Sequence, residues 1–480
     1  MIIDIQLGQS QEIDPEYFEQ MKQFLFHEDL EVTKQGIFFW ETISGDFYSF
    51  LDSLLIFGKE EDMVCCSSSY LFNLKQLSTW FCEAPNHLYI ALWVLGKLAA
   101  FEEMWEEKEK LITLELSEQD LEGLPETIGN LTGLKELRLS KNAIRALPEE
   151  IGQLRNLRFL DLEDNCLEEL PEEIFQLHNL EVLKLDVNQI RGLSPEIQNL
   201  KKLQYFSVYL VTDRELPREI GHLKALKTLH IMGHTIRSLP AELGELTLLE
   251  DLVVYGNLDS LPKSIGRLEN LKILNLMGNG LVSLPDEIGS LRLLQELCLF
   301  HNELVFLPDT IGNLDALRNL NISCNNILAL PESIGNLRFL KRLNATDNKL
   351  KAVPRTIGHL KYLWALELGV NQLEFLPDEI GNLGSLQRLE IFQNNLKLLP
   401  DSIGKLWQVK RLWAESNSLE TLPETIRNMK KLEAIELQNN PLRELPNWLV
   451  DLPSLEMVLV SGDLDLACDS PELWEILVWE

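Results

Sequence analysis

The sequence has no long apolar run. Its most hydrophobic stretch, Leu88 to Phe101, is 14 residues long and includes Gly96 and Lys97. That is too short to cross a bilayer as a helix. Basic charge is scarce, with 43 Lys+Arg against 75 Asp+Glu and a formal net charge of −32. Phosphate backbones repel such a surface and no basic stripe compensates, so nucleic acid is not an expected partner. Cysteine is sparse and scattered: Cys65, Cys66, Cys82, Cys166, Cys298, Cys324 and Cys468 show neither CxxC nor Cys/His zinc spacing. An odd set of isolated thiols reads as reduced cysteine in a cytoplasmic protein. The opening residues, Met1 to Asp14, lack a basic segment followed by an apolar core, so no signal peptide is expected. Also missing are a Gly-rich phosphate loop, HExxH, GxSxG, an EF-hand loop and the kinase motifs. No enzymatic activity, cofactor or metal is expected.

What the sequence has is repetition. The dipeptide Leu-Pro recurs from Leu124-Pro125 to Leu445-Pro446, with Leu193-Ser194-Pro195 and Val353-Pro354 as degenerate members. The step is 23 residues except between Leu239 and Leu261, where it is 22. Fifteen such units exceed coincidence. Within each runs L-x-x-L-x-L-x-x-N-x-L, as in Leu386, Leu389, Ile391, Asn394 and Leu396. The period-two piece is a strand with one buried face. The following L-P-x-x-I-G-x-L returns the chain over the outside, its Pro fixing φ and its spacing suiting a short helix or 3₁₀ turn. The Asn amide carries both donors and an acceptor, enough to pair turn backbone that is otherwise buried and unsatisfied. Stacked units make an α/β solenoid with a parallel sheet on its inner face.

These motifs, covering roughly residues 111–463, resemble the leucine-rich repeat proteins, and the LPxxIGxLxxL form looks like their 23-residue Ras-group class. The resemblance implies a horseshoe with a concave parallel β-sheet and a non-enzymatic, protein-binding scaffold in signal transduction. A small GTPase or a phosphatase is a possible partner by that resemblance alone.

Residues 1–110 do not follow the repeat. They hold 20 acids, seven lysines and no arginine. They are expected to form a mainly helical capping or accessory domain, with helices from Asp14-Pro15 to Phe26 and from Pro85 to about Lys108. Between them lies an aromatic-rich stretch, Ile37 to Trp40 and Phe47 to Phe57. Residues 464–480 are expected to form a C-terminal cap, a helix opening at Ser470-Pro471 and containing Trp474, Leu477 and Trp479. No catalytic domain is expected after the repeats.

Strand alternation turns the residues between the leucines toward the inner face. The column following each L-x-L core holds five successive large apolar side chains, Tyr209, Met232, Tyr255, Met277 and Phe300, flanked mostly by small or polar residues. Tyr205, His230, Val253 and Ile273 occupy neighbouring columns. The ladder Asn is also lost nearby, becoming Val211 and His234, and the loop from Leu210 to Glu215 is expected to bulge. Two departures from the repeat in one place mark a binding site. A secondary candidate joins Phe392, Trp413, Glu367, Glu390 and Glu415, beside Arg342, Arg388 and Arg411. His230 and Cys298 lie three repeats apart, about 14 Å at strand spacing, too far to share a metal ion. The expected partner is a protein, with basic rim residues to suit the acidic surroundings. The alternative is an effector or recognition receptor that binds a foreign or host protein.

Overall fold

The computed structural model describes residues 112–461 except 119, 213 and 214, together with 56–57, 63–64, 473 and 475–479. The expected helices between residues 14 and 108 lie outside the described residues. The chain divides into two compact units, residues 1–180 and 181–480.

In the first unit, β1 (Ile56–Phe57) pairs antiparallel with β2 (Met63–Val64). Next come β3 (Thr113–Glu115), β4 (Glu136–Arg138) and β5 (Phe159–Asp161). These three run parallel, with Leu114, Leu137 and Leu160 in register. In the second unit the strands are β6 (Val182–Ile190), β7 (Tyr205–Leu210), β8 (Thr228–Met232), β9 (Asp251–Tyr255) and β10 (Ile273–Asn275). Then follow β11 (Glu296–Cys298), β12 (Asn319–Asn321), β13 (Arg342–Asn344), β14 (Ala365–Glu367) and β15 (Arg388–Glu390). β16 (Arg411–Trp413), β17 (Ala434–Glu436), β18 (Met457–Val460) and β19 (Leu477–Trp479) complete the unit. Each pairs parallel with the next, and the 22-residue step sits where Asp251 faces Ile273.

The repeat dictates this geometry. The two strand leucines point inward and are fully buried, as Leu297 and Leu299 are, while Ile311 and Leu314 close the same turn from the opposite side. Burial of each such side chain stabilises the fold by about 2 kcal/mol. A single turn cannot cover its own apolar side, so stability comes from stacking. The return segment is a five-residue 3₁₀ turn throughout. Pro308, for example, sits at φ −67° and ψ 148° immediately before Asp309–Asn313, and its ring holds the entry angle.

Asparagine ties neighbouring turns together. The Nδ2 of Asn394 donates to Leu368 O at 3.0 Å and Ile391 O at 3.1 Å, and its Oδ1 accepts from Leu373 N–H at 2.9 Å. The same pattern recurs at Asn165, Asn302, Asn325, Asn348 and Asn417. The residue before a ladder Asn turns left-handed, as at His301 (φ 57°), Cys324 (φ 53°) and Gln393 (φ 50°), and in these turns the strand has three residues.

Where the ladder is interrupted, the strands lengthen. β7 has six residues and β8 and β9 five each, against three in β10 to β17. At β7 and β8, without a side-chain amide to satisfy the turn, the backbone continues the sheet pairing instead; β6 keeps Asn188 yet runs to nine residues where it pairs with the lengthened β7. The irregularity expected between Leu210 and Glu215 falls partly outside the described residues. One is present in β6, where the register with β7 shifts between Leu185 and Ile190 and Val187 lies exposed at φ 52°. The C-terminus departs from expectation as well. Leu477 to Trp479 form no helix but a parallel strand on β18, with Val458 facing Leu477. The edge of β18 offers unpaired backbone groups, and Leu-Val-Trp suits an extended segment. Trp474 lies outside the described residues.

Candidate protein-binding face

The long strands carry most of the apolar column. Register places Tyr209, Met232 and Tyr255 in one row across β7, β8 and β9. A second row holds Ser207, His230 and Val253, and a third Tyr205, Thr228, Asp251 and Ile273. Between them Phe206, Val208, Leu229, Ile231, Leu252 and Val254 are fully buried, and of the residues between these only Ser207 is buried as well. Met277 and Phe300 continue the first row beyond β10 and β11. Met277 is 38% exposed, whereas Tyr205, Tyr209, Met232, Val253, Tyr255, Ile273 and Phe300 are half-buried against their neighbours.

Two features hold the rings in place. His234, a ladder position, packs edge-to-face on Tyr255 at 5.5 Å and on Tyr209 at 6.3 Å. On its far side Tyr255 lies over Gly278, where a Cβ would stand 2.4 Å from the ring. Gly278 also has φ +67°, so glycine is needed there for two reasons. His234, which the sequence marks as a lost ladder asparagine, is thus part of the patch.

Beside this row His230 bridges two polar groups. Its Nδ1 faces the Tyr205 hydroxyl at 3.5 Å and its Nε2 faces Asp251 Oδ2 at 3.4 Å, with the Tyr205 ring edge-on at 5.6 Å. A proton on Nε2 lets His230 donate to Asp251 and accept from Tyr205. Asp186 accepts a hydrogen bond from the fully buried Ser207 hydroxyl. Burial pushes the Asp186 carboxyl above the ordinary carboxylate range, opposed by the Ser207 bond and by His230. Serine, histidine and aspartate therefore lie close together without forming a nucleophile. Ser207 is committed to Asp186 and sealed from solvent, and the His230 ring is occupied on both nitrogens.

The secondary cluster is a charge network. Arg342 donates from Nε to Glu367 Oε1 at 3.0 Å and from Nη2 to Oε2 at 2.9 Å. Arg388 pairs with Glu390 and lies over the Trp413 ring at 5.1 Å. The Glu367 side chain is only 4% exposed. Phe392 packs against Gly369, where a Cβ would be 2.4 Å from the ring. Glu415 lacks such a partner. Burial first, then the carboxylates of Glu436 and Glu390, push it up to about 7, against a hydrogen bond from its own backbone. Burial also pushes the Cys298 thiol up. Among the described residues no cluster of His, Cys, Asp and Glu is placed to hold a metal ion, and no helix is long and apolar enough to cross a membrane.

The stacked turns, the asparagine ladder and the strand-bearing face define a leucine-rich repeat solenoid. The leucine-rich repeat region family matches residues 110–231, 194–276, 309–397 and 365–460, and the chain belongs to it. Among solved structures, a leucine-rich repeat protein of Leptospira interrogans is 35% identical, with a TM-score of 0.63 over 71% of this chain and 93% of that one. The plant peptide hormone receptor RGFR1, solved in complex with RGF2, is 28% identical with a TM-score of 0.58 over 74% of this chain and 68% of that one. A TDR receptor is 28% identical with a TM-score of 0.66, over 77% of this chain and 67% of that one. None of the curated proteins matches.

Proposed function

We propose that the protein is a non-enzymatic scaffold that binds a protein partner on its strand-bearing face. The observation carrying this reading is the single row Tyr209, Met232, Tyr255, continued by Met277 and Phe300, on the strands that the interrupted ladder lengthens. Aromatic and methionine side chains are enriched in interface cores. Here Tyr255 is held between His234 and Gly278, which lowers the entropy lost on binding. Tyr205, His230, Val253 and Ile273 form the border of the patch. The net charge of −32 favours a partner with a basic rim and speeds its approach at low salt. Phe392, Trp413, Glu367, Glu390 and Glu415 form a secondary contact region.

The 23-residue Leu-Pro step supports membership of the Ras-group class and, through it, a cytoplasmic signalling role with a small GTPase or phosphatase. A recognition receptor is the second reading, and the likeness to RGFR1, solved in complex with RGF2, favours it. Once a partner is in hand, Tyr255→Ala combined with Phe300→Ala weakens it far beyond tenfold, while Glu149→Ala leaves it unchanged. Equal affinities for the three forms refute the placement. Cell fractionation separates the two readings: cytosolic chain supports the scaffold, chain in culture supernatant the receptor.

A further inference from the structure

The most exposed aromatic side chains are not on the strand face. The two most exposed among the described residues, Phe339 and Tyr362, lie with Trp364 on the rim where the chain enters β13 and β14, while Phe306, Phe375 and Trp407 are exposed at other turns. Phe339 is 56% exposed, Tyr362 58% and Trp364 41%. The Phe339 and Tyr362 rings lie nearly parallel, at 18° with centroids 6.0 Å apart. Other turns place a polar or aliphatic residue at the position of these two rings, as at Asn270, Ser385, Gln408 and Lys431 or Leu248 and Leu293, and none places an aromatic there. Three half-exposed aromatics present roughly 300 Å², within the range of the largest apolar patches on ordinary monomers, which are often functional.

The charge around them is reversed relative to the chain. Residues 338–364 hold seven Lys+Arg and one acid, in a protein of net charge −32. Backbone hydrogen bonds link Arg318, Lys341 and Trp364 across successive turns: Lys341 N–H donates to Arg318 O at 2.7 Å and Trp364 N–H to Lys341 O at 2.9 Å. Some other cations on this rim are neutralised. Lys272 pairs with Glu250 at 2.6 Å, Arg292 with Asp315 at 2.6 Å and Lys410 with Glu433 at 2.7 Å. Among the described residues, Arg318, Arg338 and Lys341 are exposed without an ion pair, as are Lys135, Lys227 and Lys430 at other turns.

We propose that this rim is a second interaction surface, distinct from the strand face, and that it takes an acidic polypeptide segment with an aliphatic or aromatic side chain among its carboxylates. The apolar side chain covers the Phe339, Tyr362 and Trp364 rings while the carboxylates meet Arg318, Arg338 and Lys341. Arginine and exposed aromatics are the residue types that carry such contacts. The patch spans three turns, about 10 Å at strand spacing. A continuous phosphate backbone would overrun it onto a chain of net charge −32. A peptide places a few carboxylates where the cations are.

The test is fluorescence anisotropy with a labelled synthetic peptide rich in Asp and Glu and carrying Leu and Phe, titrated with the full chain at low and at high salt. The surface predicts saturable binding, weakened by salt and weakened about tenfold or more by Arg338→Glu with Lys341→Glu. Phe339→Ser with Tyr362→Ser acts similarly, as does the milder pair Lys341→Gln with Tyr362→Ser; circular dichroism checks the fold of each. Tyr255→Ala with Phe300→Ala leaves this binding unchanged, which separates it from the strand face. The assignment is overturned if the peptide does not bind, if the rim variants bind as wild type does, or if a Lys-for-acid peptide binds equally well. Tighter binding to oligo-dT or to phosphatidylserine vesicles also overturns it. So does a dimer in sedimentation that the charge-reversal variant dissolves, because the occupant would then be a second copy of the chain.

Discussion

Replacing one ladder asparagine tests the physical basis of the stack. Asn394 is buried and makes four hydrogen bonds. The three carbonyls it serves each keep a second donor: Leu368 O has Asn371 Nδ2, Ile391 O has Asn417 Nδ2 and Phe392 O has the Val370 N–H. The Leu373 N–H keeps none. Asn394→Ala therefore orphans one buried donor outright and weakens three acceptors, a destabilisation of about 2–4 kcal/mol. Asn394→Asp preserves shape and the acceptor for Leu373, yet it points a carboxylate oxygen at three carbonyl oxygens in a buried site. It should cost more than alanine despite being nearly isosteric. Urea denaturation followed by far-UV circular dichroism measures both. Amide exchange at Leu373 reports the local loss, which matters because long arrays can unfold segment by segment. A cost below about 0.5 kcal/mol for alanine, or a more stable aspartate variant, refutes the reasoning.

Other perturbations have defined outcomes. Arg342→Met strips the bidentate partner from a carboxylate that is 4% exposed; it should destabilise by about 3 kcal/mol in the same assay, and adding Glu367→Gln should recover part of the loss. Glu415 has a folded pKa of about 7 against an ordinary 4.5. The folded state therefore holds a proton that the unfolded state releases, and stability is full below about 4.5 and falls as pH rises toward 7. For this half-exposed group the change is about 1–2 kcal/mol after solvent screening, and Glu415→Gln should remove that slope from a pH series of denaturation midpoints. Gly278→Ala forces both a left-handed alanine and a collision with the Tyr255 ring; a loss of about 1–2 kcal/mol is expected, with a changed Tyr255 ring environment by NMR. His234→Ala removes an exposed side chain and should leave stability within about 0.5 kcal/mol while weakening partner binding.

The repeat made most of the fold legible. A 23-residue step with L-x-L at its centre states which residues face inward, which strands are neighbours and in what register. The single 22-residue step reappears as the Asp251–Ile273 pairing. Less legible was whatever depends on contact between turns. The loss of asparagine at positions 211 and 234 suggested an irregularity, but the outcome was longer strands, because the freed backbone had another partner in the sheet. The column Tyr209 to Phe300 was visible as a pattern, whereas its half-burial was not, since exposure depends on the residue one turn away. His234 between two tyrosines and the Arg342–Glu367 fork belong to the same category. The rim aromatics were missed because Phe339 and Tyr362 fall at a position the repeat leaves free, and a net charge of −32 hid a local excess of cations. Leu477 to Trp479 were read as helix from a Ser-Pro start, while the unpaired edge of β18 decided for strand.

The most direct test of the strand-face reading is a pull-down read by mass spectrometry. Wild type is compared with a variant in which Tyr209, Met232, Tyr255, Met277 and Phe300 are changed to Ser or Thr, with circular dichroism confirming that both are folded. The account predicts at least one protein captured by the wild type and lost by the variant. Identical captures by two folded proteins would contradict it and leave the central row with a structural role alone.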